Sequence, residues 1–125
     1  MDYEAFIDTV AQRSHVPRDK AESLTHATLE TLAERLTKGE ADDLASELPK
    51  PLKTPLISPT PEAEDFGLEE FVDRVSRRSG LGPDEAREGV RAELSTLRDA
   101  VSDGEFRQVL TQLPTEFGEL VDSRS

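Results

Sequence analysis

Apolar residues recur along this chain at three- and four-residue intervals, the period of amphipathic helices. Tyr3, Phe6, Ile7 and Val10 form the first stripe; Asp2 is placed to cap it, and Ser14-His15-Val16-Pro17 to break it. A long helix is predicted from about Arg18 to Thr37, striped by Ala21, Leu24, Leu29, Leu32, Ala33 and Leu36. Lys38-Gly39 is its expected stop, with the glycine as a left-handed cap. Ala41, Leu44, Ala45 and Leu48 mark one face of a short third helix that Pro49 closes. Residues 49–65 hold five of the eight prolines, a density that predicts no regular helix. Leu52, Leu56 and Ile57 are candidates to dock on the core, and residues 58–65 read as a proline-rich linker.

From Phe66 the pattern starts again. Shifting the chain by 65 residues, without a gap, gives 16 identities over the first 52 positions; random pairing would give about three. Phe6 meets Phe71, Arg13 meets Arg78, Thr31 meets Thr96, and Gly39-Glu40 meets Gly104-Glu105. The predicted elements are Leu68–Ser79, a long helix opened by Pro83 and capped by Gly104, and a short helix carrying Phe106, Val109, Leu110 and Leu113. Thr115 then starts a final helix with Phe117, Leu120 and Val121. No stretch alternates with period two, so no sheet is expected. The fold class is therefore all-α: a tandem duplication of a three-helix unit, packed about a pseudo-two-fold. Residues 1–57 form the first repeat, 58–65 the linker and 66–125 the second repeat. Each unit is too small to hide its apolar face alone, so the two make one compact domain.

Charge narrows the function. The 125 residues carry 27 Asp+Glu against 15 Lys+Arg, a net charge of -12. The acids are spread over both repeats, and such a surface repels phosphate backbones and anionic membranes. Cysteine is absent, which removes disulfides and thiolate metal sites. No apolar run reaches bilayer length and the opening Met1-Asp2-Tyr3-Glu4 is unlike a signal peptide, so a cytoplasmic location is expected. Diffuse acid with few lysines is also the surface that a high-salt cytoplasm favours. Compaction crowds these acids and salt screens them, the Debye length falling from about 10 Å at 0.1 M to about 3 Å at 1 M. The melting temperature is therefore expected to rise as sodium chloride goes from about 0.05 to 1 M. A flat or falling response in a thermal melt would mean that specific ion pairs outweigh the net repulsion.

The opening DYEAFIDTVAQRS, the segment LETLAERLTKGEADDL and the stop ELP resemble the domain-of-unknown-function family 2267 of bacteria and archaea, with a weaker echo in the second half. The resemblance implies a duplicated helical domain and no particular activity. Residues 1–40 are also similar to the helical half of histone-like HU proteins. HU continues from the equivalent glycine into β-strands and a basic, DNA-gripping arm, whereas Ala41–Pro49 here is acidic with a helical pattern and no basic arm follows.

Candidate chemistry is sparse. His26 has Glu22 four residues before it but Arg91 as its counterpart, and His15 lies in a turn, so both read as solvated or capping residues. Glu40, Asp42 and Asp43 lack the spacing of a calcium loop and read as charge at a helix start. Arg74, Arg77 and Arg78 are the candidate anion or partner contact; the competing reading is internal pairing, as in Glu70–Arg74 and Asp73–Arg77. No nucleophile elbow or phosphate-binding glycine loop occurs. No catalytic, cofactor or metal residue is assigned. The expected function is a non-catalytic acidic helical interaction or structural module, with an unknown protein partner or self-association and without nucleic acid or membrane. The alternative is an acidic protein that occupies a basic partner's surface as a nucleic-acid mimic or nucleoid-protein antagonist; an enzyme is the third reading.

Overall fold

In the computed structural model, which describes residues 1–57 and 63–122, the two halves carry matching helices. The first half holds α1 (Tyr3–Ser14), α2 (Arg18–Arg35) and α3 (Lys38–Ser46), of 12, 18 and 9 residues. The second holds α5 (Leu68–Ser79), α6 (Pro83–Ala100) and α7 (Asp103–Thr111), again of 12, 18 and 9 residues, each starting 65 positions after its counterpart. Among the described residues there is no strand, and no helix is long and apolar enough to cross a membrane.

Local chemistry sets these boundaries. The Asp2 carboxylate accepts the Ala5 N–H at 2.8 Å, capping α1 as expected. In the second copy Gly67 occupies that position, and Glu116 supplies the oxygen instead, accepting the Leu68 N–H at 2.7 Å. Both first helices end in a left-handed residue, His15 at φ 59 and Gly80 at φ 79. The long helices end earlier than the pattern predicts. They stop at Arg35 and Ala100, Leu36 and Val101 are extended, and Gly39 and Gly104 lie inside the first turns of α3 and α7. The expected left-handed cap at Gly39 is thus replaced by hydroxyl capping. Thr37 accepts the Glu40 N–H at 3.3 Å and Ser102 the Glu105 N–H at 3.2 Å. A hydroxyl three residues ahead of glutamate is a helix-start signal, and here it prevails over glycine's stop tendency.

The three-helix unit is extended by a fourth element in each copy. In the second it is α8 (Thr115–Asp122), which buries Phe117, Leu120 and Val121. In the first it is α4 (Lys50–Lys53) followed by a 3-10 turn (Thr54–Leu56), which bury Leu52, Pro55 and Leu56. Regular structure therefore exists where proline density predicted none. Pro51 and Pro55 sit near the start of their short elements, where a missing N–H leaves no gap. Ile57 remains 72% exposed and does not dock. Of the predicted linker, residues 58–62 lie outside the described residues; Ala63–Asp65 are exposed, and the Glu64 N–H reaches back to the Glu34 carbonyl at 2.8 Å.

The halves exchange their first helices. Besides packing on its own long helix, α1 lies on α6 and α5 lies on α2. One core results, with Phe6 and Phe71, Val10 and Val75, and Leu32 and Leu97 buried as counterparts. Phe71 meets Phe117 edge to face, with ring centroids 5.2 Å apart. Where α2 crosses α6, Leu24 meets its own counterpart, Gly89. A residue meets its counterpart only near the two-fold, so this contact locates the pseudo-axis. Two leucines have no room there: a carbon added at Gly89 would lie 2.7 Å from both Leu24 methyls. The asymmetric leucine–glycine pair lets the long helices approach.

Candidate functional site

Of the arginines singled out in the sequence, Arg74 and Arg78 lie at the α5–α2 contact, and Arg77 is exposed on α5. Arg78 donates to Thr31 Oγ1 at 2.8 Å and to Glu34 at 2.7 Å. Its counterpart Arg13, on α1, donates to Ser95 Oγ at 2.9 Å, to Thr96 Oγ1 at 3.4 Å and to Asp99 at 2.7 Å on α6. The pairs are reciprocal, each copy's arginine gripping the threonine and acid of the other's long helix. Arg74 has no counterpart of its kind, since Thr9 stands there. It donates to Glu70 at 2.8 Å, Glu34 at 2.9 Å and Glu64 at 3.1 Å, and its guanidinium lies 3.9 Å from the Phe66 ring centroid. Arg77 pairs with Asp73 at 2.9 Å. Burial pushes the Glu34 carboxyl up, but hydrogen bonds from Arg78 and Arg74 outweigh it and hold Glu34 below the usual carboxylate range. All three guanidiniums therefore have carboxylate partners in this chain, and they border a shallow depression with Glu70. Outside this group, Arg91 pairs with Glu88 at 2.6 Å.

At the α3–α7 contact the Gly-Glu repeats come together. Glu40, Asp43 and Glu105 each place a carboxylate oxygen within 4.8 Å of the other two, the one such three-residue group found among the described residues. Asp42 is not part of it; Lys38 holds that carboxylate at 3.2 Å. Reciprocal caps lock the two helices. Glu47 accepts the Ser102 N–H at 2.7 Å, and its counterpart Gln112 accepts the Thr37 N–H at 2.9 Å. Glu40 and Glu105 are counterparts in contact, so this is a second point on the pseudo-axis. Apart from a proton that the two carboxyls can share, Glu40 Oε2 and Glu105 Oε2 are buried without a hydrogen-bond donor. Burial, a hydrogen bond to Glu40 and the charges of Glu40, Asp43 and Glu47 push the Glu105 carboxyl up to about 8. The sequence carried a trace of this site in the repeated Gly-Glu, but local spacing could not show that the two glutamates meet.

A third carboxyl lies in the core. Glu93 is fully buried on α6, one turn after Gly89; Thr25 donates to its Oε2 at 2.5 Å, and Oε1 has no partner. Burial pushes Glu93 up to about 8, against the smaller lowering effect of the Thr25 bond. Its counterpart Thr28 also holds a buried, unpartnered hydroxyl. The histidines stay outside these groups. His26 is exposed and faces Glu30 at 3.4 Å, while Glu22 accepts from the Tyr3 hydroxyl at 2.9 Å.

A family model described as "Uncharacterized conserved protein (DUF2267)" matches residues 3–120. No curated protein matches the chain.

Proposed function

The chain belongs to the DUF2267 family of uncharacterized conserved proteins, and from that premise we propose that it is a non-catalytic, acidic helical interaction or structural module. The observation that carries this reading is where the cations go. Arg13, Arg74, Arg78 and Arg91 are held by carboxylates of the chain itself, so they serve the fold. The acids exceed them, leaving a surface that suits a cationic partner and repels an anionic one. The end formed by α3 and α7 favours the basic-partner version. Asp42, Asp43, Glu47 and Asp103 are exposed there around Glu105, with Lys38 and Arg107 as the bases of those two helices.

Two measurements test the proposal. In a gel shift at micromolar protein and physiological salt, duplex DNA should not be retarded; a shift that weakens as salt rises would contradict the reading. Affinity capture from native lysate at matched salt should return either a basic protein, which favours occupation of a basic surface, or the chain itself, which favours a structural role. An anionic partner as the main product would overturn both versions.

A further inference from the structure

We infer that Glu40, Asp43 and Glu105 form a binding site for one hard divalent cation, which clips α3 to α7 on the pseudo-two-fold axis. This goes beyond the interaction module proposed above and does not depend on it. The donor set is three carboxylates whose oxygens lie within 4.8 Å of one another. That span fits oxygens sharing one ion at the metal–oxygen distances of calcium or magnesium, about 2.0–2.6 Å. Oxygen donors without nitrogen or sulfur select such hard ions.

A second observation makes the cluster more than surface acid. Glu40 is only 8% exposed. Its Oε2 lies out of solvent, as does Glu105 Oε2, and no group of the chain donates to either except through a proton the two carboxyls share. Withdrawing a carboxylate oxygen from water without a donor is costly. The base nearest in sequence, Lys38, is on Asp42. A cation would take the place of that proton, satisfying both oxygens at once and offsetting the mutual repulsion of the three carboxylates. The geometry is held in advance. Thr37 and Ser102 fix the first turns from which Glu40 and Glu105 project, and the Glu47–Ser102 and Gln112–Thr37 bonds fix one helix against the other. Asp43 is exposed, so the outer side of the ion stays open to the water ligands that magnesium and calcium keep. No calcium-loop spacing is needed, because the donors come from two helices 65 residues apart.

The test is calorimetric titration of calcium chloride, and separately magnesium chloride, into the full chain, with ionic strength held constant by sodium chloride. Thermal melts are run in the same buffers. One saturable site per chain is expected for at least one ion. The melting temperature should rise beyond that in sodium chloride of equal ionic strength. Glu105→Gln and Asp43→Asn should each weaken binding by about tenfold or more, since even an outer partner of a metal ligand matters by that factor. Asp19→Asn, an exposed acid outside the group, should leave binding unchanged while removing the same charge. If Glu105→Gln does not fold, Asp43→Asn decides, because its side chain is exposed. Absence of saturation with both ions, undiminished binding in Asp43→Asn, or an effect that ionic strength alone reproduces would overturn the inference.

Discussion

Gly89→Leu is expected to be among the most damaging single substitutions in this protein. A first added carbon already lies 2.7 Å from both Leu24 methyls and 3.2 Å from Leu24 Cγ. Leu24 is fully buried, so its methyls cannot swing out to solvent. Overpacking a core costs about 1–3 kcal/mol and sometimes more, and a whole leucine side chain at the helix crossing belongs at the upper end. Helix propensity returns at most about 1 kcal/mol when glycine is replaced. Chemical denaturation should therefore show a net loss of about 2 kcal/mol or more. A neutral or stabilised Gly89→Leu would mean that α2 and α6 do not cross so closely.

Glu93 should make the fold lose stability as pH rises. Its carboxyl is pushed up to about 8 in the fold, against an ordinary value of 4.5. Below about 4.5 the carboxyl is protonated in both states and burial brings no charge penalty. Between about 4.5 and about 8 the unfolded chain has released the proton that the folded chain still binds, so each pH unit costs about 1.4 kcal/mol. Above that window the loss is complete and this contribution is flat. Glu34 and Glu88 act in the opposite sense: their arginine partners hold them below the usual range, so their stabilisation is lost as pH falls below about 4.5. Stability should peak near pH 5. Glu93→Gln keeps the shape and an acceptor for Thr25 but carries no charge. It should make the decline between pH 5 and 8 shallower, leaving the share due to Glu105, whose carboxyl is raised in the same direction, and raise stability at pH 8. Denaturant midpoints for both proteins across this range check it; parallel declines would mean that Glu93 is not the group responsible.

The fold was largely legible because the chain states its helices twice. Identities such as Phe6/Phe71, Arg13/Arg78 and Thr31/Thr96 are core and clamp residues, and repetition made each copy a check on the other. What misled were residues with two meanings. Gly39 reads as a stop until Thr37 is seen as a cap, and Pro51 and Pro55 read as breakers although a first turn tolerates them. Arg78 is open to an anion-binding reading in the sequence because its partners, Thr31 and Glu34, lie on another helix, out of reach of local spacing. Its counterpart Arg13 makes the same contact on the other copy's threonine and acid. The meeting of Glu40 with Glu105, and of Leu24 with Gly89, was beyond local reading. Periodicity tells which face of a helix is buried, but where a pseudo-axis passes depends on how two helices cross.

That axis is the central claim, and exchanging the residues that meet on it tests it most directly. Leu24→Gly alone should leave a cavity, at a cost of about 2–5 kcal/mol for the lost leucine and about 1 kcal/mol for glycine in a helix. Gly89→Leu alone should overpack the same space. Combined, the two substitutions move the leucine to the opposite helix, where the pseudo-two-fold offers it much the same room. In a double-mutant cycle followed by denaturant unfolding, the exchanged protein is predicted to be at least about 2 kcal/mol more stable than the sum of the single losses implies. Losses that simply add would contradict the account, because they would place Leu24 and Gly89 in separate environments and leave the halves without the crossing that relates them.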